Sequence, residues 1–546
     1  MTRYFKPIYL SLALLSLLSC SSKMEVDLII TDAKIYTVDS SFSIYQAMAI
    51  KDAKILGIGS TEQILRQYTS SKIEAKEGKI IYPGFIDAHA HLYNLGMQMQ
   101  QVNLTGATSF DEVVIRIEEF QKKNQKKYII GRGWDQNLWN GKNFPTKDTL
   151  DVLFPNTPIA LSRIDGHAML CNAKALELAK IDEQTQTKGG AILKDENGYL
   201  TGVLIDNPMQ MVFNSFPEVS INEISKALRD AEQVCLSYGL TSLSDAGLSK
   251  KVIESIDSLQ KADILKMRIY AMVSNNEEDL DYYLSKPPYK TNKLNVRSVK
   301  VYADGALGSR GAALKEEYSD HEGHFGSMVI GHDEFLQLAN RIAKTEFQMN
   351  THAIGDSANV SVLKTYQNIL SGKKDKRWRV EHAQILDETD FQYFNKNILP
   401  SVQPTHATSD MYWAEDRIGS KRIQHAYAYK QLLNQVGILP LGTDFPVEQV
   451  NPMLTFYAAV SRQDTDGFPA GGFQKQNALS RKEALKGMTI WAAYANFEDH
   501  EKGSLEKGKW ADFIVLDEDL LHIHIQKVPN LVVKETYIDG KLVFLH

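Results

Sequence analysis

The sequence predicts an α/β protein: a (β/α)8 TIM barrel with an inserted α/β subdomain after its first strand, plus a small composite β-sandwich formed by both termini. Three observations carry this. Eight short apolar runs, each stopping at polar or glycine residues, recur between positions 85 and 444, and most are followed by a helical pattern, as in Ala358 to Leu370 or Lys482 to Met488. The gap between the first two runs, about 91 to 240, is far longer than one crossover needs. Strand-only texture occurs only at the two ends of the chain, and neither end holds enough apolar surface to fold alone. At 546 residues the chain also exceeds the ~250 to 300 residues at which a single core stops growing.

Residues 1–20 are expected to be a lipoprotein-type signal peptide. Arg3 and Lys6 precede an apolar stretch from Ile8 to Leu18 that is too short to span a bilayer stably, and Ser19-Cys20 follows. The run Leu17-Leu18-Ser19-Cys20 resembles the bacterial lipobox, which makes Cys20 the candidate for lipidation and the mature N-terminus. The expected location is then extracytoplasmic, a membrane-anchored lipoprotein of the periplasm or outer membrane; a cleaved signal with an incidental cysteine is the alternative.

Residues 24–82 alternate β-rich runs with turns, from Leu28-Ile29-Ile30 to Ile55-Leu56-Gly57-Ile58, with Lys51-Asp52 a hairpin turn, and form the first part of the sandwich. Residues 83–499 hold the barrel, with strands expected near 85–91, 240–246, 267–273, 296–303, 347–352, 378–383, 398–404 and 437–444. The insertion, about 105–235, carries strand-like runs at Tyr128 to Ile130, Pro158 to Leu161 and Gly202 to Ile205. Because βα loops leave the C-terminal end of a barrel, an insertion there can cover its mouth. Residues 500–546 complete the sandwich.

Composition narrows the partners. With 61 basic against 67 acidic residues and a formal net charge of -6, there is no broad basic field for nucleic acid. A small-molecule substrate is expected instead, with membrane contact through the lipid anchor only. Three cysteines, Cys20, Cys171 and Cys235, are too few for a disulfide framework; the last two are read as a possible pair or as two buried thiols.

The chemistry collects at the strand ends. Pro83-Gly84-Phe85-Ile86-Asp87-Ala88-His89-Ala90-His91 ends the first barrel strand, and its period of two points His89 and His91 the same way, with Asp87 below them. Alone the His-x-His spacing is weak: His522-Ile523-His524 has it too, in the terminal β region, and is read as structural. The difference is company. Lys300 lies in a buried-type strand on one face with Ser298 and Tyr302, where desolvation would lower its pKa and free the amine to take up carbon dioxide. His352, His382 and Asp444 each close a further strand. Five strands thus deliver metal-competent groups at their C-terminal ends.

This order, His-x-His on strand 1, Lys on strand 4, His on strands 5 and 6 and Asp on strand 8, resembles the metal-dependent amidohydrolase superfamily. More narrowly, Gly133-Trp134-Asp135, Ser162 to His167, Lys300-Val301-Tyr302-Ala303-Asp304-Gly305, Thr351 to Asp356 and Val380-Glu381-His382-Ala383 are similar to amidohydrolase family 3, the YtcJ-like group. The resemblance implies one or two divalent ions, Zn²⁺ first with Mn²⁺ or Fe²⁺ as alternatives. His89 and His91 would hold one, His352 and His382 the second, with Lys300 bridging if carboxylated and Asp444 both ligand and base. It implies hydrolysis of carbon–nitrogen bonds other than peptide bonds, in N-acyl, formamide or cyclic amide substrates, through a metal-activated hydroxide. A deaminase or esterase on the same scaffold and a catalytically retired solute-binding lipoprotein are the alternatives. The family also implies a homodimer, and a histidine such as His167 over the metals, against a histidine in a structural turn. Asp304 and Arg310, past Lys300 on a Gly-rich loop, are candidates for binding substrate or for pinning that loop by a salt bridge. Trp134, with Trp139 and Tyr412-Trp413, is a candidate for lining the pocket or for core packing, and His321 and His324 read as solvated.

Overall fold

A computed structural model describes residues 23–164, 166–187 and 190–546. The expected signal and Cys20 lie outside the described residues, as does Asp165. Among the described residues no helix is long and apolar enough to cross a membrane.

Seven parallel strands pair in chain order around the barrel: β1 Phe85–Ala90, β2 Leu240–Leu248, β3 Arg268–Val273, β4 Leu294–Tyr302, β5 Gln348–Ala353, β6 Trp378–His382 and β7 Ile398–Ser401. The eighth expected strand, residues 437–444, forms no regular ladder but closes the ring by backbone hydrogen bonds on both sides. Ala88 N donates to Leu441 O and Asp444 N to His89 O on the β1 side; Gly442 N donates to Val402 O beyond β7. The close approach requires a glycine at 442, since a Cβ there would lie 2.5 Å from His89 N and 2.8 Å from Asp87 Oδ1. Asp87 tightens the same seam, accepting from Thr443 Oγ1 at 2.7 Å and from His89 N at 3.1 Å.

The outer helices bury one apolar face against the strands. Ile221–Ser237 starts with a capping box, in which Ser220 and Glu223 satisfy each other's backbone amides, and buries Ile224, Leu228, Ala231 and Cys235. Cys235 and Cys171 are both buried free thiols.

The insertion is a six-stranded mixed sheet in the order Val102–Asn103, Ile129–Trp134, Ile159–Arg163, Ala168–Cys171, Leu200–Ile205, Ala191–Lys194. Its two faces carry separate apolar clusters, one around Ile129, Leu161 and Trp134, the other around Met169, Cys171 and Leu204. Helix Ile221–Ser237 packs instead with Leu92–Gln98 and β2 of the barrel, so the inserted unit ends before it rather than near 235.

The two termini build one sandwich. A four-stranded sheet of Lys54–Gly59, Ala47–Lys51, Leu28–Thr31 and Ile73–Ala75 faces a six-stranded sheet in which Phe513–Leu516 pairs with Ile80–Pro83 and Val533–Ile538. Ile30, Met48 and Ile50 meet Ile81, Phe513 and Val515 in the core between them. The strand Ile80–Pro83 runs almost directly into β1, so the sandwich holds the start of the strand whose far end carries His89 and His91.

Candidate active site

At the C-terminal end of the barrel, His89, His91, Lys300, His352, His382 and Asp444 converge. The register places them at similar heights: Tyr302 pairs with His352, and Ala353 with His382. His89 and His382 ring centroids are 5.0 Å apart and His352 and His382 4.5 Å. Asp444 joins two groups able to hold an ion. In one, its Oδ1 is 3.1 Å from His91 Nε2 and 3.6 Å from His89 Nε2; in the other, with His382, its Oδ2 is 3.2 Å from His406 Nε2. Both His382 and Asp444 adopt left-handed backbone, φ 71° and 63°, a conformation that is costly for residues other than glycine and that concentrates at functional sites.

A second layer fixes which nitrogen of each imidazole faces inward. His89 Nδ1 meets Glu381 Oε2 at 2.6 Å, His91 Nδ1 meets the Ala246 carbonyl at 3.1 Å and His382 Nδ1 meets Gln403 Oε1 at 2.8 Å. With Nδ1–H donating outward, the Nε2 lone pairs of His89 and His382 point into the cluster, the arrangement that outer partners give to metal-ligating histidines, while His91 Nε2 faces Asp444 Oδ1. Glu381 is in turn held by Arg379, whose Nε donates to Oε1 at 2.6 Å; both are fully buried.

The electrostatics suit cation binding. Burial pulls His89 down to about 4 and His352 to about 3, so both are neutral ligands at physiological pH. Burial likewise pulls Lys300 down to about 8; its Nζ is 3.0 Å from His89 Nε2. Burial would raise Asp444, but hydrogen bonds from His406 and His91 and the neighbouring imidazoles hold it well below the usual carboxylate range. His352 Nε2 is buried with no hydrogen-bond partner, a costly state for an imidazole nitrogen unless another electron-pair acceptor meets it. Nitrogen and carboxylate donors with that orphaned atom fit a divalent ion such as Zn²⁺. Above them opens a cavity of about 580 Å³, lined also by Tyr302, Leu307, Ile354, Gln384, Trp413 and Glu448.

A model of the Amidohydrolase family (Amidohydro_3) matches residues 75–544. The chain belongs to this family. It is 33% identical to Protein LONG AFTER FAR-RED 3 of Arabidopsis thaliana, over 95% of this chain and 91% of that protein. It is 31% identical to the putative amidohydrolase YtcJ of Bacillus subtilis (strain 168), over 93% and 98%, and 26% identical to the N-substituted formamide deformylase of Arthrobacter pascens, over 94% and 98%. Its fold is similar to an uncharacterized metal-dependent hydrolase from Pyrococcus horikoshii OT3, with a TM-score of 0.79 and 27% identity, covering 91% of this chain and 99% of that one. The amidohydrolase barrel with its terminal sandwich is therefore the fold of this chain.

Four of the expected site residues in this amidohydrolase make contacts of their own, and for Trp134 and Arg310 these are the core packing and loop salt bridge given as alternatives. Trp134 is packed in the core of the insertion, its Nε1 donating to Leu161 O at 2.6 Å, because a buried indole needs one acceptor and an apolar bed. Asp304 is buried beside the cluster, its Oδ1 3.7 Å from His352 Nε2, and accepts from the amides of Ala313, Ile354 and Gly355 at 2.8 to 3.0 Å, so it ties the β4 and β5 loops together. Arg310 is engaged with Asp320 at 3.0 and 2.8 Å and pins its loop. His167 belongs to the insertion, where its 70% exposed side chain meets Asp206 at 2.8 Å, and it is not among the residues lining the cavity. Conversely, His406 was not foreseen. It stands on the helix Pro404–Asp410 just past β7, with Nδ1 3.1 Å from Glu448 Oε1. The signal available was a histidine two residues past a proline that starts a helix at a strand end. His522 meets only Asp519, and neither it nor His524 belongs to a metal-competent group among the described residues.

Proposed function

We propose that this chain hydrolyses carbon–nitrogen bonds other than peptide bonds, in N-acyl, formamide or cyclic amide substrates. The observation that carries it is the cluster of His89, His352 and His382, held neutral by burial, around one ionised carboxylate, Asp444, all open to a cavity of about 580 Å³. Burial would lower His406, but its bonds with Asp444 and Glu448 raise it to about 10. The formamide deformylase likeness over nearly the whole chain supports the same bond class. A divalent ion held by His89, His91, Lys300, His352, His382 and Asp444 would polarise a carbonyl and bring the pKa of water to about 7. His406 is a further candidate ligand.

The chain's own part is to position and to move a proton. His91 and His406 hold the two Asp444 oxygens at 3.1 and 3.2 Å, so the carboxylate cannot rotate away from the cluster. Glu448 fixes His406 from behind and is itself bonded by Ser409 Oγ at 2.7 Å. Asp444 takes a proton from the attacking water, oxygen adds to the carbonyl carbon, and the same proton passes to the departing nitrogen as the carbon–nitrogen bond breaks. The products are a carboxylic acid and an amine.

Incubating Zn²⁺- and Mn²⁺-loaded protein with N-acyl amino acids, N-substituted formamides and cyclic ureas tests this. Release of amine in step with acid is expected for at least one class. Release of ammonia from an amidine, or of alcohol from an ester, with every amide left intact would replace this reading by deamination or ester hydrolysis.

A further inference from the structure

Amide hydrolysis builds negative charge on the carbonyl oxygen as the attacking oxygen adds, and a preorganised donor aimed at that oxygen is commonly the largest single contribution of an active site. A side chain of the cavity wall can supply such a donor beside a bound ion. Tyr302 ends β4 two residues beyond Lys300 on the same face and lines the cavity, 39% exposed. Its seat is defined from three sides. Parallel pairing sets it beside His352, ring centroids 5.7 Å apart, and Lys300 Nζ lies 5.0 Å from its ring centre. At the end of β2, Gly247 has a φ of 82°, and a Cβ there would lie 3.4 Å from Tyr302 Oη, an ordinary contact, which places the hydroxyl against the end of that strand.

The hydroxyl is also uncommitted. Tyr82 donates to Asp519, Tyr270 to Gln348, Tyr427 to Asp410 and Tyr429 to the Gln403 carbonyl. The Tyr302 hydroxyl makes no hydrogen bond to any group among the described residues, although the residue lines the same cavity as the candidate ligands. An aromatic needed only as wall would require no hydroxyl there.

We propose that Tyr302 is a catalytic residue whose hydroxyl donates a hydrogen bond to the substrate carbonyl oxygen while that oxygen carries negative charge. The assignment rests on the amide-hydrolase reading. As the water oxygen bonds to the carbonyl carbon, the carbonyl π pair moves onto oxygen and is stabilised by Tyr302 Oη–H. When the pair returns to re-form the carbonyl, the carbon–nitrogen bond breaks and the nitrogen takes the proton from Asp444. Tyr302 keeps its own proton throughout.

The test compares wild type with Tyr302→Phe, which keeps the ring and its packing. On any amide turned over by the wild type, kcat should fall by about 10²- to 10³-fold, with KM within a few-fold, and metal content and melting temperature should match the wild type. A second arm needs no substrate: methylphosphonate, a tetrahedral anion, should bind metal-loaded wild type at least several-fold more tightly than Tyr302→Phe in calorimetry. Wild-type kcat in the variant, or a loss confined to KM, overturns the proposal. So does equal or absent methylphosphonate binding in both proteins. If the wild type turns over no amide, the amide-hydrolase reading fails, and the phosphonate arm still decides whether Tyr302 meets a tetrahedral oxyanion.

Discussion

Glu381 shows how much of this site is set by residues that never meet substrate. It is fully buried and ionised well below the usual range, because Arg379 and His89 outweigh the burial that opposes its charge. Replacing it by Gln leaves one acceptor oxygen for two donors, so His89 Nδ1 and Arg379 can no longer both be satisfied and Arg379 loses its buried counter-charge. Metal affinity should drop about 10- to 100-fold by titration, and unfolding should show a loss of about 3 to 5 kcal/mol; unchanged affinity would remove Glu381 from the site's design. The six convergent candidate ligands were legible because each lies at or near the C-terminal end of a strand-like run, and a strand's two-residue period says where such a side chain points. His406 was not, because it sits in the first turn of a helix, where no periodicity links it to the strand before it. Trp134, Asp304 and Arg310 could not be placed because their partners, Leu161, the Ile354 amide and Asp320, lie across folds of the chain that spacing does not report.

At the scale of elements, strand runs translated into structure most directly, and the helices that follow them carry caps that were not foreseen. Ser220 with Glu223 and Ser480 with Glu483 both form reciprocal capping boxes. Ser220→Ala should cost about 1 kcal/mol, read as a lowered denaturant midpoint with the slope unchanged, since helix Ile221–Ser237 carries the barrel face packed on β2. The closing segment 437–444 reads as a strand yet pairs irregularly, because Gly442 and left-handed Asp444 bend it so that the carboxylate reaches the cluster. The insertion's extent was less legible. Its strands Ala168–Cys171 and Ala191–Lys194 are only four residues each, and the amphipathic pattern of 221–237 is the same whether that helix packs on the insertion or on the barrel.

Across the whole molecule, a sandwich made from both ends locks the barrel from below while the insertion stands beside its mouth. The floor is polar and buried: Glu498 receives Lys502 at 2.6 Å and Lys290 at 2.8 Å, and Lys502 reaches Ser242 at the start of β2. Burial would raise Glu498, but the two lysines win and bring it from 4.5 to about 2. A carboxylate depressed in the folded state stabilises it fully above the unfolded value and loses that contribution as pH falls through the folded one. Stability should therefore decline between about pH 4.5 and pH 2, and Glu498→Gln should flatten that part of the stability–pH curve; an unaltered slope would contradict the ion-pair account. Proton transfer by Asp444 in a metal-centred hydrolysis is put to the test by comparing Asp444→Asn with wild type, metal content and amine release measured on the same preparations. Turnover should be abolished with bound metal largely retained. Undiminished amine release by the variant would contradict it.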